Sequence, residues 1–270
     1  MPVRLEPTLS FKDLFADATR TVVGMFVCSG DAAIAEICAG SGLDYLLIDA
    51  EHGAMGLESV QAQLRAIAAY PTLPVVRVPD NDAVLVKQYL DAGAQSIIVP
   101  MVNDAAEAQA AVSSMHYPPR GIRGVGSSLS RSARWNRIDD YLNRAGDLVT
   151  LVVQIETATA VENASEIAST EGVDGIFIGP ADLAASMGLL GQQNHPLVVA
   201  AVLTSITAAR AAGKFVGVNA FVEADARTYI QAGADFVNVA ADVSLLARST
   251  EALTAKYIGN ANSASAPASY

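Results

Sequence analysis

Eight short apolar runs, each followed by a longer amphipathic segment, organise this 270-residue chain. The runs are rich in β-branched residues and nearly continuous in apolar character, which is typical of strands that are covered on both faces. They span residues 22–27, 45–49, 74–78, 96–101, 148–155, 175–178, 215–218 and 236–239. The helical segments between them span residues 31–39, 57–69, 82–92, 105–114, 158–169, 197–212, 224–232 and 243–257.

This alternation predicts an α/β fold, a (β/α)8 TIM barrel, because such barrels need eight strand–helix units in about 250 residues. We expect one barrel domain over residues 1–258 and a disordered tail over the small, polar residues 259–270. Glycines at 93 and 233 are predicted helix stops. The rival fold, a doubly wound dinucleotide-binding sheet, requires a GxGxxG turn that the residues after the first run (VCSGD, 27–31) lack.

Composition excludes several classes of partner. Acidic residues outnumber basic ones by 28 to 17, giving a net charge of −11, so a nucleic-acid partner is not expected. No apolar run approaches the roughly 18 residues of a membrane span. The N-terminus has no apolar stretch typical of a signal peptide, and the two cysteines form no disulfide framework. We therefore expect a cytoplasmic protein without a membrane partner.

Ionisable residues directly after predicted strands indicate where chemistry could occur, because the active sites of TIM barrels lie at the carboxyl ends of the strands. Glu156 and Asp182 follow adjacent strands, and two carboxylates so placed would repel each other unless a cation lay between them. Oxygen donors of this kind suit Mg²⁺, Mn²⁺ or Co²⁺. The alternative is that Glu156 caps a helix and Asp182 accepts hydrogen bonds from the start of the next helix.

Two further strand-end residues are candidates for proton transfer and charge stabilisation. His52 has a side chain that can accept a proton near neutral pH, or it could simply cap the next helix. Arg77 ends an apolar strand, where a guanidinium could face an oxyanion or form a salt bridge with an acid such as Asp49. No lysine lies at a predicted strand end, which argues against a Schiff-base mechanism.

A long polar segment, residues 117–137, separates the fourth helix from the fifth strand. Loops of this length inside compact domains are often lids or binding loops. Arg123 and Arg131 could meet a distal acidic group of a substrate, but we expect them to be solvated loop residues.

Six segments in this order resemble the HpcH/HpaI family of metal-dependent pyruvate aldolases, in particular its 4-hydroxy-2-oxoheptanedioate aldolases and sugar-acid relatives. The segments are LLIDAEHG (46–53), PVVRV (74–78), IIVPMV (97–102), YPPRGIRGVGSSLSRSARWNR (117–137), LVVQIET (151–157) and GVDGIFIGPADLAASMG (172–188). The resemblance spans about residues 24–257. It implies a carbon–carbon lyase that cleaves 4-hydroxy-2-oxo acids reversibly to pyruvate and an aldehyde, through a metal-stabilised pyruvate enolate.

The resemblance also implies roles for individual residues. Glu156 and Asp182 would be the metal ligands, and His52 and Arg77 would be the base and the enolate-stabilising group. Other positions would complete the site: Gln154 would contact pyruvate or a metal-bound water, the backbone around Ala181 and Asp182 would receive the pyruvate carboxylate, and Asp91 would pair with the histidine. Because Asp91 lies near the end of a predicted helix, it would reach a site only from a neighbouring subunit. Family members are commonly homohexamers, and some exchange their last helix.

One departure affects the aldehyde side of the pocket. Where the family often has a tryptophan in a segment like GLWLGL, this chain reads GMFVCS (24–29), with Phe26 as the candidate lining residue. The identity of the aldehyde therefore stays open. Three other functions also stay open: a lyase acting on acyl-CoA esters such as malyl-CoA or related to citrate lyase, an oxaloacetate decarboxylase, and a non-enzymatic metal-binding barrel.

Overall fold

The computed structural model describes residues 9–258, so residues 1–8 and the predicted tail 259–270 lie outside the described part of the chain. Eight parallel strands, β1 to β8, close into a barrel in sequence order, as predicted. Their bounds are β1 Val22–Val27, β2 Tyr45–Asp49, β3 Leu73–Arg77, β4 Ser96–Val99, β5 Thr150–Ile155, β6 Gly175–Ile178, β7 Phe215–Asn219 and β8 Phe236–Ala241.

Helices follow the strands and cover the outside of the barrel. They are α1 Ala32–Ala39, α2 Leu57–Ile67, α3 Ala83–Ala92, α4 Ala105–Met115, α5 Tyr141–Arg144, α6 Ala158–Glu162, α7 Ala164–Ser169, α8 Pro180–Ser186, α9 Pro196–Ala211, α10 Glu223–Gln231 and α11 Asp242–Tyr257. Within residues 9–258, none of these helices combines the length and apolar character needed to cross a bilayer.

Three short elements were not predicted from the sequence: α5, α8 and a 3₁₀ helix at Phe11–Phe15. The predicted helix over 158–169 is in fact two helices, α6 and α7, which break at Asn163. There the backbone leaves helical geometry, and the side-chain amide donates a hydrogen bond to the Asn103 carbonyl. A side chain that bonds to a neighbouring loop in this way competes with helix continuation.

Aromatic side chains fill the lower half of the barrel interior. Phe11 is fully buried and packs against Tyr45 and Phe236, with ring centroids 4.9 and 5.1 Å apart. Its backbone N–H donates to the Ser96 hydroxyl at the start of β4, which fixes the 3₁₀ helix across the amino ends of the strands. These contacts close the barrel interior at the amino ends of its strands.

The long loop, residues 117–137, packs at the closed end. Its Arg131 N–H donates to the carbonyl of Asp91, and its Ile122 N–H donates to the carbonyl of Ser113. Both acceptors lie near helix ends that lead back to the amino ends of strands, so the loop is not a lid over the carboxyl ends of its own barrel. The expectation that Arg123 is solvated is also wrong, because this residue is 2% exposed.

Candidate active site

A cavity of about 210 Å³ opens at the carboxyl ends of the strands. It brings together six of the residues predicted from the sequence and adds others. The lining residues are Phe26, Cys28, Asp49, His52, Arg77, Gln154, Phe177, Gly179, Ala181, Asp182, Asn219, Phe221, Ala241, Val243 and Ser244.

Arg77 is the central cation of this cavity and is held by two acids from the β2 end. Its Nε and Nη2 donate to the two carboxylate oxygens of Asp49 at 2.9 and 2.8 Å, so the salt bridge considered from the sequence exists. Its Nη1 lies 2.9 Å from Glu51 Oε2, an ion pair without hydrogen-bond geometry, and 3.4 Å from Gln154 Oε1. The bidentate pair fixes the plane of the guanidinium, which leaves Nη1 facing Gln154.

Glu156 lies just after β5, behind the cavity wall, and is 1% exposed. Its Oε1 accepts the backbone N–H of Met101 at 2.8 Å, and its Oε2 accepts a hydrogen bond from Gln154 Nε2. Gly179 permits this arrangement, since a Cβ atom there would lie 2.8 Å from Glu156 Oε2. Thr157, not Glu156, caps α6, so the alternative interpretation of Glu156 as a helix cap is wrong.

Negative charge accumulates around Glu156. Burial, and then the charges of Glu51 and Asp182, raise the pKa of Glu156 to about 7, against the lowering effect of the Met101 N–H. Asp182 is exposed in the first turn of α8, after β6. Burial also raises the pKa of Glu51. Two carboxylates that raise the pKa of a third, buried carboxylate favour an additional cation beside it.

His52 stands at the rim of the cavity with a side chain that is 57% exposed. Its Nε2 lies 3.9 Å from Glu51 Oε1, and its backbone N–H donates to Asp49 Oδ1 at 3.4 Å. Because Gly56 occupies the N-cap of α2, the interpretation of His52 as a helix cap does not hold. The imidazole is open to the cavity and to solvent.

Apolar side chains and a thiol also line the cavity. Phe26 lies under Arg77, with the guanidinium carbon 5.0 Å from the ring centroid, and its ring packs edge-on against Phe221. Cys28 Sγ lies 3.8 Å from Asp49 Oδ2, and burial, followed by the charges of Asp49 and Asp242, raises the pKa of this thiol to about 12. Asp242 accepts the Cys28 N–H and so ties β1 to the start of α11.

Asp91 is the one predicted catalytic residue that the structure does not bring to this cavity. It lies near the end of α3, and its carboxylate pairs with Arg123 at 2.7 Å. The Arg123 guanidinium stacks over Tyr117, 4.7 Å from its ring centroid. Asp91 therefore lies away from the site of its own chain, as its sequence position indicates.

The donor set fits a divalent cation bound by two protein carboxylates. Among residues 9–258, no three His, Cys, Asp or Glu side chains form a complete metal cage. Glu156 and Asp182 instead provide hard oxygen donors at neighbouring strand ends, beside a cavity with room for small ligands. This arrangement suits an ion such as Mg²⁺ or Mn²⁺, which keeps positions for water and substrate.

Sequence reasoning missed several residues of the cavity. Phe221, Val243 and Ser244 lie in loops or helix starts and carry no ionisable group, so no chemical signal distinguishes them in the sequence. Glu51 follows the second predicted strand together with Asp49 and His52, but no role was predicted for it, because its approach to Arg77 depends on the fold of the turn after β2. Its position in a cluster of three ionisable residues was the only available signal.

A closed (β/α)8 barrel with a carboxylate pair, a fixed guanidinium and an open imidazole at its carboxyl end defines an enzyme of the TIM-barrel class. Residues 22–249 match the family model described as HpcH/HpaI aldolase/citrate lyase, and the chain belongs to this family. Its members include aldolases, so the family resemblance seen in the sequence is confirmed.

Comparisons with individual proteins agree with this assignment. The chain is 48% identical to a 4-hydroxy-2-oxo-heptane-1,7-dioate aldolase of Salmonella dublin over 261 residues, 97% of this chain and 99% of that protein. A crystal structure of an HpcH/HpaI aldolase/citrate lyase family protein from Burkholderia cenocepacia J2315 superposes with a TM-score of 0.87 at 40% identity, covering 91% and 97% of the two chains. The citrate synthase SbnG superposes with a TM-score of 0.82 at 28% identity, covering 94% and 100%.

Proposed function

We propose that this carbon–carbon lyase cleaves 4-hydroxy-2-oxo acids reversibly to pyruvate and an aldehyde. The observation that carries the proposal is one cavity that holds Arg77, Gln154 and Asp182, with the Glu156 carboxylate bonded to Gln154 behind it. Support also comes from the relative of 48% identity, which is named for an aldolase acting on such an acid.

Glu156 and Asp182 would hold the divalent cation, Mg²⁺, Mn²⁺ or Co²⁺. When bound, the cation supplies a Lewis acid that polarises the keto acid. Gln154 orients the Glu156 carboxylate through its amide N–H and faces the same space as Arg77. The backbone N–H groups at Ala181 and its neighbours in the first turn of α8 lack intrahelical acceptors and would bind the pyruvate carboxylate.

Arg77 and His52 would carry out the remaining steps. Arg77 Nη1 donates to the 2-keto oxygen, where negative charge develops as the enolate of pyruvate forms. In the cleavage direction, a base centred on His52 takes the proton of the 4-hydroxyl group while the C3–C4 bond breaks and the aldehyde leaves, and the base then returns a proton to C3 of the enolate to give pyruvate. In the synthetic direction, the same base removes a methyl proton of pyruvate. Phe26 and the other apolar residues of the cavity would bind the aldehyde side chain.

A second candidate is cleavage or synthesis like that of the citrate lyases and citrate synthases. The superposition on the citrate synthase SbnG favours it, because both chains form the same barrel over nearly their whole length. Malyl-CoA cleavage and oxaloacetate decarboxylation would use the same kind of enolate site. Comparing turnover of malyl-CoA and oxaloacetate with aldol cleavage in one preparation separates these activities.

We also propose a homohexamer that acts in the cytoplasm on small molecules. The exposed apolar side chains of α11 support an assembly, since Leu245, Leu246 and Leu253 are each more than half exposed in the single chain. In such an assembly, Asp91 of one subunit could approach His52 of another.

The decisive experiment is a cleavage screen of 4-hydroxy-2-oxo acids that measures pyruvate release. We expect EDTA to abolish release and added Mg²⁺, Mn²⁺ or Co²⁺ to restore it. Glu156→Gln and Asp182→Asn should each stay inactive after metal is added back. Pyruvate release that persists unchanged in EDTA would contradict the proposed cation site, and absence of release from every acid would contradict the aldolase reaction.

A further inference from the structure

The turn after β4 holds a strained backbone conformation directly against Glu156. Met101 has φ +56°, in the left-handed region that side chains of this kind rarely adopt. The residue is 47% exposed, so packing of the methionine does not explain the conformation. The conformation aims the backbone N–H at Glu156 Oε1, 2.8 Å away. Strain that persists at such a position indicates a functional constraint.

Asn103 fixes this turn from the other side. Its Nδ2 donates to the carbonyl of Met101 at 2.8 Å, two residues back along the chain. Its Oδ1 accepts the hydroxyl of Thr157 at 2.5 Å, and Thr157 directly follows Glu156. One amide therefore joins the residue that donates to Glu156 and the residue that follows it.

Further contacts hold Asn103 itself in place. Its backbone N–H donates to Glu107 Oε2 at 2.7 Å, and its carbonyl accepts Asn163 Nδ2 at 2.8 Å. The second contact comes from Asn163, where the break between α6 and α7 lets its side chain bond to the loop after β4. Asn103 thus has the hydrogen-bonding groups of its side chain and backbone committed to the loops that follow β4 and β5.

From these contacts we infer that Asn103 is a positioning residue for the cation site, acting through the Met101 backbone and Glu156. Removal of the amide frees the Met101 turn to relax out of φ +56°, which withdraws the N–H that orients Oε1. A buried carboxylate without that hydrogen bond loses its fixed direction toward the cavity. Partners that orient metal ligands in this way typically contribute about 10–100-fold to metal affinity. The inference rests on the proposed role of Glu156 as a cation ligand.

The test is Mn²⁺ affinity of the full chain without substrate, measured by EPR of free Mn²⁺ and by calorimetry. We expect Asn103→Ala to weaken binding about 10–100-fold. Asn103→Asp keeps an acceptor for Thr157 but loses the Nδ2 donor to the Met101 carbonyl and to Glu107 Oε2, and it should also weaken Mn²⁺ binding. Met101→Gly should bind like wild type, because glycine adopts this φ without strain and only the backbone N–H is used.

Asn81→Ala is the matched control. The Asn81 amide donates to the Glu107 carbonyl at 3.0 Å and so supports the same helix without touching Met101. We expect this variant to keep wild-type Mn²⁺ affinity. In kinetic assays, Asn103→Ala should need more Mn²⁺ for half-maximal rate and should approach the wild-type kcat at saturating Mn²⁺, which a general loss of folding would not produce.

Wild-type affinity in Asn103→Ala, or an equal loss in Asn81→Ala, would overturn the inference while leaving the proposed function intact. Wild-type protein that binds no Mn²⁺ would overturn the cation site and this inference with it. Thermal unfolding of each variant shows whether it is folded. If Asn103→Ala does not fold, the Mn²⁺ affinity of Asn103→Asp tests the inference in its place.

Discussion

The Arg77 guanidinium is held in a fixed position by the acidic residues next to it. A buried guanidinium is strongly disfavoured unless it is paired, and Asp49 and Glu51 provide two negative charges next to it. Hydrogen bonding to Asp49 and the charges of Asp49 and Glu51 raise the pKa of Arg77 against the opposing effect of burial, so it stays charged. The bidentate pair with Asp49 also fixes the orientation of the planar guanidinium, and a lysine, which has a flexible side chain and a single ammonium group, could not form such a pair.

We expect Arg77→Ala to lower kcat for aldol cleavage about 10²–10³-fold, because it removes a preset donor to the oxyanion, worth about 2.7–4 kcal/mol. Arg77→Lys should also be impaired, since a lysine cannot form the bidentate pair with Asp49. Pyruvate release under saturating metal measures the effect. Arg65→Ala, on the outer surface of α2, is the control and should retain activity. A kcat for Arg77→Ala within a few-fold of wild type would rule out this role.

His116 makes stability depend on pH. Burial, followed by the charges of Arg120, Lys12 and Arg123, lowers the pKa of this buried imidazole to about 4. Its ordinary value is 6.5, so the unfolded chain binds more protons than the folded chain between these two pH values. The contribution of His116 to the free energy of unfolding is therefore complete above pH 6.5 and is lost as the pH falls toward 4.

We expect the wild type to lose stability relative to His116→Gln as the pH is lowered from about 7 to about 4.5, by at most about 1.4 kcal/mol for each pH unit. Denaturant unfolding of both proteins across this range measures the free energy of unfolding of each. Carboxylates that titrate in both proteins contribute equally, so their effect cancels when the two values are subtracted. Parallel curves for the two proteins would show that His116 does not titrate in this window.

At the scale of elements, the strand and helix pattern could be predicted well because each strand is buried on both faces and many helices end at a recognisable residue. β1, β2 and β6 have the predicted bounds. The helix break at Asn163 could not be predicted, since it depends on a contact with Asn103, sixty residues earlier in the chain. The left-handed conformation of Met101 could not be predicted either, because it depends on a contact with the distant Glu156 and no residue type in its own segment requires it.

Positions of residues on strand ends were predictable, and the salt bridge between Arg77 and Asp49 was considered from the sequence, whereas the pairings of the long loop were not. Glu156 and Asp182 could be placed together because parallel strands end at one edge. The burial of Arg123 and its pairing with Asp91 could not be foreseen, because a polar, glycine-rich loop gives no sign of which surface it packs on.

The end of α3 depends on a left-handed backbone conformation at Gly93. This glycine has φ +107° and caps the helix, with the Arg131 side chain directly over it. We expect Gly93→Ala to be destabilised by more than the roughly 1–2 kcal/mol of the backbone conformation alone, because Arg131 must also move. Gly42→Ala is the matched control, with φ +88° and open space around it. Denaturant unfolding that gives equal losses for both would show that the Arg131 contact contributes nothing.

At the scale of the whole molecule, α11 extends the barrel with a helix whose apolar side chains lack cover within the described chain. Leu246 and Leu253 are seven residues apart, so they project from the same side of this helix. We expect Leu246→Glu combined with Leu253→Glu to reduce the mass of the assembly in light scattering, because two charges would be buried at the contact. An unchanged mass for this variant would exclude α11 from the interface.

Ala255→Glu is the control for the leucine variant. Ala255 is exposed on α11, and at about 100° per residue it projects from the side of the helix opposite Leu246 and Leu253. A glutamate there adds charge to the same helix without replacing an apolar side chain of the predicted contact. We therefore expect its mass in light scattering to equal that of the wild type.

The aromatic plug under the barrel has a consequence for the order of events. Since Phe11 closes the lower end of the barrel, both reactants of the proposed reaction must enter and leave through the opening at the carboxyl ends of the strands. Arg77 and Gln154, 5% and 1% exposed, lie deep in the cavity, whereas Val243 at its rim is 43% exposed. If the keto acid binds Arg77 and Gln154 as proposed, we expect it to bind before the aldehyde and to leave after it.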